Sequence, residues 1–248
     1  MKKVRPEKDT YGQEVLAYYK KEESFEVVER DDGYLDIARS GPKSYFADYG
    51  DWPDAEKAAV KLAKGTVLDI GCGAGRCCLY LQKKGLKVIG IDNSPLAVKV
   101  CKLRGVKDVR LMPIEDIGKF KKDFFDTVLM MGNNFGLFCN FQKAKLLLKK
   151  LYRITSSGAV IIAASNDPTK TTEKAHIEYQ KLNKKRGKMP GQLRIRVRFK
   201  EYIGEWFEYL IVSEAELKKI LSGTGWKIKK IMHSNSRSSY YIAVIGKI

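Results

Sequence analysis

Histidine, paired cysteines and long apolar runs are all scarce in this chain, and each shortage removes a class of function. No run reaches the roughly 18–20 apolar residues that a membrane span requires. The first ten residues, MKKVRPEKDT, carry charge with no apolar stretch behind them. Neither a signal peptide nor a membrane partner is expected, and the protein is expected in the cytoplasm. Only His176 and His233 represent histidine, and Cys72, Cys77, Cys78, Cys101 and Cys139 include no CxxC pair. Structural zinc needs closely spaced Cys/His ligands, so no metal is expected. An odd number of cysteines in such a chain predicts reduced, mostly buried thiols. No repeat, low-complexity tract or evident linker interrupts the sequence. A single domain over 1–248 is the expectation.

The charge is far from balanced: 47 Lys and Arg against 29 Asp and Glu give +18. Such a balance suits nucleic acid, an anionic substrate or simply a solvated lysine surface. The lysines are scattered and often stand beside glutamates, which favours the last. Nucleic acid stays open as an alternative partner.

The pattern along the chain alternates strand and helix. Residues 1–64 form an extension, with a helix over 10–21 and an irregular aromatic segment over 33–53. A further helix follows Pro53, since proline suits the first turn. From 65 to 168, apolar strands are expected at 66–70, 87–91, 109–112, 125–131 and 159–164. Helices are expected at 74–84, 95–104 and 141–154. Continuous apolar strands separated by helices imply a parallel α/β sheet with helices on both faces. Residues 169–212 read as an insertion: a charged helix over 171–185, a strand over 192–200 and a return strand over 205–212. Leu193, Ile195, Val197 and Phe199 alternate there with Arg194, Arg196, Arg198 and Lys200. The arginines are expected to pair with Glu205 and Glu208, or else to meet an anionic substrate. Ser213 and Glu216 form a capping box for a helix to about Leu221. Strands at 227–232 and 240–245, joined by a turn over 234–238, close the chain as an antiparallel pair.

One segment carries chemistry. Val67-Leu68-Asp69-Ile70-Gly71-Cys72-Gly73-Ala74-Gly75-Arg76 ends the first core strand and opens a helix. Open α/β sheets bind ligands at that point. The spacing is GxGxG, unlike the GxGxxG of dinucleotide sites, and no P-loop lysine follows. Asp69 before the loop would repel a pyrophosphate and favour a cation. Asp92, at the end of the second strand, suits both hydroxyls of a ribose. Ser94-Pro95 then caps the next helix.

Asp69–Arg76 followed by Ile91–Ser94 resembles the class I S-adenosylmethionine-dependent methyltransferase family. The resemblance implies a Rossmann-like seven-stranded methyltransferase sheet, six strands parallel and one antiparallel. Here it would carry the N-terminal extension and an inserted helix and β-hairpin. It also implies S-adenosyl-L-methionine as cofactor. Asp69 would meet the methionine amino group. Gly71, Cys72, Gly73 and Ala74 would pass along the methionine and ribose. Asp92 would hold the ribose, with Asn93 beside the adenine. The family's third motif falls at Leu111-Met112-Pro113-Ile114-Glu115-Asp116, where Pro113 replaces the usual acid. The Ile114 amide and Glu115 are the candidates there, and Glu115 with Asp116 can equally start a helical turn.

The fourth motif, Met130-Met131-Gly132-Asn133-Asn134-Phe135, lacks the sequence used by base-amino methyltransferases. It is similar to variants in small-molecule methyltransferases. Met131 and Gly132 would lie beside the cofactor. Asn133 and Asn134 are substrate candidates, or residues of a turn with positive φ. Tyr45 and Tyr49, with Phe46 and Trp52, would form a lid or pack the extension. Arg194 and Arg196 complete the substrate candidates. No catalytic group can be named, because alignment by the protein suffices for such a displacement. His176 is a possible base or a surface-helix residue. A small-molecule acceptor is the expected partner. An RNA or protein methyltransferase, and a binding protein that senses the cofactor, are the competing readings.

Overall fold

The structure, a computed structural model, describes residues 4, 6–38, 41–234 and 238–248. Its elements are α1 (Thr10–Tyr19), β1 (Glu26–Arg30), β2 (Leu35–Ala38), α2 (Gly41–Phe46), α3 (Asp54–Val60), β3 (Thr66–Ile70), α4 (Arg76–Lys83), β4 (Lys87–Asp92), α5 (Pro95–Leu103) and β5 (Val109–Leu111). They continue with β6 (Phe125–Met130), α6 (Phe141–Ile154), β7 (Thr155–Asn166), α7 (Lys174–Lys185), β8 (Gln192–Phe199), β9 (Tyr202–Ile203), β10 (Phe207–Leu210), α8 (Glu214–Leu221), β11 (Trp226–His233) and β12 (Tyr240–Lys247). Strands β3 to β7 with β11 and β12 make a seven-stranded sheet, as expected for this α/β fold. The remaining strands, β1, β2, β8, β9 and β10, make a second sheet of five. No helix among the described residues is long and apolar enough to cross a membrane.

The chain divides into two compact units. The first holds Met1–Trp52, Thr66–Asp116 and Arg194–Phe207. Its strands β3, β4 and β5 are parallel, with Leu68 opposite Ile89 and Gly90 opposite Val109. Leu68, Ile70, Ile89 and Ile91 are all buried, as strands covered on both faces must be. Helix α1 packs on α5. Val15 of α1 meets Ala74 and Val100, and Tyr11, Leu16, Tyr45 and Phe46 close over them.

The same unit contains an element absent from the sequence expectation. Before and within the stretch 33–53 the chain is regular: β1 and β2 form an antiparallel hairpin, and α2 follows. The turn is Asp31-Asp32-Gly33, with Gly33 at φ +87° and the Arg30 amide bonded to the Tyr34 carbonyl at 2.9 Å. Asp-Gly is a strong hairpin signal. The three charged side chains in Glu26–Arg30 hid the strand before it.

Strand β8 pairs with β1, placing Glu29 opposite Arg196. The arginine ladder therefore does not pair with Glu205 and Glu208 as expected. Arg196 grips Glu29 through two bonds of 2.7 and 3.0 Å, and Arg198 reaches the same carboxylate at 3.3 Å. Arg194 and Arg196 also lie over the Trp206 ring, at 5.7 and 4.5 Å from its centroid.

The second unit holds Pro53–Gly65, Ile117–Leu193 and Glu208–Ile248. Here β6 and β7 are parallel, and β12 runs antiparallel to both β7 and β11. The expected turn over 234–238 falls partly outside the described residues, at 235–237. Helix α6 spans the predicted 141–154 with Ala144, Leu147, Leu148, Leu151 and Ile154 buried. The Ser213–Glu216 capping box is present. Glu208 accepts from Asn140 and Gln192 at 3.0 and 3.1 Å. Trp226 is 1% exposed and its indole N–H donates to the Leu148 carbonyl at 3.0 Å. Phenylalanine there removes the donor and leaves unfilled the space that the larger ring packs. Trp226→Phe should cost about 1–3 kcal/mol, read as a lower urea midpoint at unchanged slope.

Candidate functional site

Glycines shape the loop after β3. Gly71, Gly73 and Gly75 hold φ of +69°, +56° and +83°, the left-handed region that other residues enter at a cost. The amides of Gly71 and Cys72 both donate to the Ile91 carbonyl at 2.9 and 3.1 Å, and Gly75 donates to Cys72 at 2.8 Å. A Cβ on Gly73 would lie 2.7 Å from the Tyr11 hydroxyl, and one on Gly75 would lie 2.7 Å from Val106. The loop thus turns tightly with a tyrosine directly over it.

Asp92 ties this loop to the next strand. One carboxylate oxygen accepts from the Gly73 amide and the other from the Ser94 amide, both at 2.9 Å. Burial pushes its carboxyl up to about 6, against the pull of these amide bonds. The Asn93 amide is a third donor to this carboxylate. Asp69 is also buried, and burial raises it to about 6, with the Cys78 thiol donating to it at 3.2 Å. Cys101 donates to the Gly73 carbonyl at 3.0 Å, and Arg104 to the Ala74 carbonyl at 2.6 Å. The described cysteines are all buried with free thiols.

Asp69, Gly71, Cys72, Gly73, Ala74, Asp92 and Asn93 are thus gathered in the first unit. Asn93 is half-buried, and its carbonyl accepts from the Val4 amide at 3.3 Å. Ile114 is buried and Glu115 half-buried on a short 3-10 helix, Ile114–Lys119, so the helical-turn reading of Glu115 and Asp116 describes their backbone. Ser94 caps α5, accepting from the Ala97 amide at 3.0 Å.

The aromatic segment divides. Tyr45 lies edge-on to Tyr11, centroids 5.5 Å apart, and donates to Glu26. Tyr49 instead stacks on Tyr80 of α4 at 4.4 Å, with Trp52 against both. Tyr49 and Trp52 therefore pack the extension onto α4.

The second unit holds the fourth-motif residues. Met131 is buried and Gly132 exposed. Asn133 adopts φ +69°, the turn geometry anticipated as one of its roles, and its carbonyl accepts from Tyr209 at 2.6 Å. Its side-chain oxygen is buried without a hydrogen-bond partner among the described residues. Asn134 is half-buried. His176 is half-buried on α7.

The sequence reading passed over Asp9, Tyr11, Glu14 and Glu26. Glu14 is completely buried, and neither carboxyl oxygen has a hydrogen-bond partner among the described residues. Burial pushes it up to about 9, with the Glu26 charge adding to the effect. Glu26 is itself raised by burial. Spacing offered a signal: Tyr11, Glu14, Val15 and Tyr18 follow a helical stripe on which a glutamate is out of place.

Comparison with known proteins agrees with this geometry. Residues 68–163 match a family described as a methyltransferase domain. The chain is 35% identical over 83 residues to a ubiquinone biosynthesis O-methyltransferase of Xanthomonas oryzae pv. oryzae, covering 32% of this chain and 35% of that protein. The corresponding Xylella fastidiosa enzyme is 35% identical over 77 residues, 29% of this chain and 31% of its own. The chain thus spans about a third of the length of the curated relatives it matches. A S-adenosylmethionine-dependent methyltransferase from Bacteroides fragilis, solved with S-adenosyl-L-homocysteine, superposes at TM-score 0.82 and 26% identity, covering 98% of this chain and 97% of that one. One from Methanosarcina mazei superposes at 0.59 and 18% identity, over 74% and 92%.

Two outcomes follow for the loop and the buried acid. Gly73→Ala, forced into positive φ beneath Tyr11, should lose about 1–3 kcal/mol in urea melts. Glu14, raised from 4.5 to about 9, binds a proton in the folded protein that the unfolded chain releases. Its contribution is complete below pH 4.5 and is lost as pH rises towards 9. Stability should fall more steeply across that interval in the wild type than in Glu14→Gln. Equal slopes would contradict a buried, solitary carboxyl.

Proposed function

We propose that the chain is a class I S-adenosylmethionine-dependent methyltransferase that transfers a methyl group to a nitrogen or oxygen of a small-molecule acceptor. The observation that carries this reading is the glycine loop fastened to Asp92 through the Gly73 amide at 2.9 Å. The residues present fit the cofactor. Asp69 and Asp92 are buried carboxyls raised to about 6, a setting that a cationic ligand relieves.

Bound there, S-adenosylmethionine supplies an electrophilic methyl group on a sulfonium. The protein's part is to bind, orient and exclude water. By this reading Asp69 receives the amino group, and the Gly71–Ala74 backbone lies along the methionine and ribose. Asp92 takes the ribose hydroxyls, and Asn93, Ile114 and Glu115 flank the adenine. The assignment of Met131 and Gly132 to the cofactor rests on sequence resemblance alone. The 65–168 core serves the cofactor, while the 1–64 extension and 169–212 insertion serve the acceptor. All belong to one methyltransferase domain.

A small acceptor is favoured over RNA or protein by the curated relatives, which are named as ubiquinone biosynthesis enzymes. The arginine ladder also points that way, because Arg196 and Arg198 are already engaged by Glu29. The +18 charge is what an RNA reading would rest on. RNA binding that steepens as salt falls would support that alternative; none is expected.

Calorimetric titration with S-adenosyl-L-homocysteine tests the cofactor site. Asp92→Ala removes charge-assisted acceptors and should weaken binding by about 100-fold or more, with far-ultraviolet dichroism retained. Unchanged affinity would refute the placement of the ribose.

A further inference from the structure

Glu14 stands out among the buried polar groups of the first unit. A carboxyl with no hydrogen-bond donor, sealed from water, is costly for a fold to keep. Proteins seldom keep such a group unless something else completes it. Its surroundings indicate what that is. Glu26 is close enough for its charge to add to the resistance of Glu14 to ionisation, and the Tyr45 hydroxyl donates to Glu26. Tyr11, one helical turn before Glu14, stands edge-on to Tyr45 with centroids 5.5 Å apart. The Tyr11 hydroxyl also overhangs Gly73. Two carboxyls and two electron-rich rings thus meet beside the glycine loop.

Acids and aromatic faces together favour one chemistry. A carboxylate repels anions and gives an alcohol one hydrogen bond. To an ammonium it gives a charge-assisted bond, and neighbouring phenol faces add cation–π attraction. An incoming positive charge also relieves the conflict between the two acids.

We propose that Glu14 and Glu26, with the rings of Tyr11 and Tyr45, form the subsite that receives the amino group of the methyl acceptor. The acceptor is then an amine: its ammonium displaces the Glu14 proton to solvent on binding, then hands one proton to the Glu14 carboxylate, and the freed nitrogen lone pair takes the methyl group as the carbon–sulfur bond breaks. This inference rests on the methyltransferase reading above and narrows its nitrogen-or-oxygen choice to nitrogen. Glu14 is the principal contact, because both its oxygens are uncommitted among the described residues. Glu26 shares the charge, and Tyr45 holds it in place. The cofactor's own amino group is the other ammonium that this chemistry would accept, and the experiment separates the two.

The full chain is saturated with S-adenosyl-L-homocysteine and titrated calorimetrically with matched pairs of probes. These are benzylamine against benzyl alcohol and 2-phenylethylamine against 2-phenylethanol. In the wild type at least one amine should bind about tenfold or more tightly than its alcohol, the size of a partly desolvated charge contact. Glu14→Gln should bring the pair within about threefold, and Glu26→Gln should reduce the preference partially, as loss of part of such a contact does. Affinity for S-adenosyl-L-homocysteine should be the same in all three proteins. Glutamine keeps the shape of the protonated acid, so Glu14→Gln is expected to fold; cooperative melting confirms it, and Glu26→Gln repeats the test at the second acid.

No amine preference in the wild type, or a preference intact in Glu14→Gln, overturns the proposal. So does a loss of S-adenosyl-L-homocysteine affinity in Glu14→Gln, which would assign the acids to the cofactor. Wild-type protein that fails to bind S-adenosyl-L-homocysteine at all removes the methyltransferase reading itself, and the subsite with it.

Discussion

The Asp92 carboxylate is the constraint on which the first unit depends. Its two oxygens accept from Gly73 and Ser94 in different segments, one on the glycine loop and one at the head of α5. A single buried side chain thereby sets the curvature of the loop and the start of the next helix together. The loop responds with glycines at positive φ, since a Cβ on Gly73 or Gly75 would press on Tyr11 or Val106. The thiol of Cys101 and the guanidinium of Arg104, both on or just after α5, then satisfy the next two loop carbonyls. Loop and helix are therefore one hydrogen-bonded object, and a ligand on the loop meets a preformed surface.

Charge is divided by depth. The sequence carries +18, yet the buried charged groups of the first unit are mainly acids: Asp9, Glu14, Asp69 and Asp92. Net charge describes the solvated exterior and its long-range field. It does not describe the interior of a site, where desolvation governs which charge can be sustained. The arginine ladder illustrates the exterior. Its members lie on β8 against Glu29 and Trp206, so much of their charge is answered within the sheet.

Legibility in the sequence followed periodicity. Strands such as Thr66–Ile70 and helices such as Phe141–Ile154 were readable because each buries one continuous apolar pattern. The glycine loop and Asp92 were readable from spacing, as was the Ser213 capping box. The hairpin of β1 and β2 was not, because a half-covered sheet tolerates Glu26, Glu29 and Asp36 and its alternation is diluted. The partner of Arg196 was misjudged for a related reason. Short sequence distance suggested Glu205 and Glu208, whereas β8 pairs with β1 some 167 residues earlier, and only the tertiary register brings Glu29 opposite. Glu14 was hidden in plain view, since a polar residue on a helical stripe is ordinarily read as its edge.

Asp9 and Glu14 show why burial alone does not identify a functional acid. Asp9 caps α1 and Glu14 lies within it, five residues on, and both are buried. Asp9 accepts from the Gly12 amide at 3.0 Å, and from the Ser94 hydroxyl and the Leu96 amide at 2.9 Å each. Its donors cap α1 and fix it to the head of α5, so the fold itself accounts for the residue. Glu14 has no such account: no donor among the described residues meets either oxygen, and the fold would lose nothing to a neutral side chain of equal size. A buried acid that the fold satisfies is an architectural element. A buried acid that the fold leaves unsatisfied implies a partner from outside it.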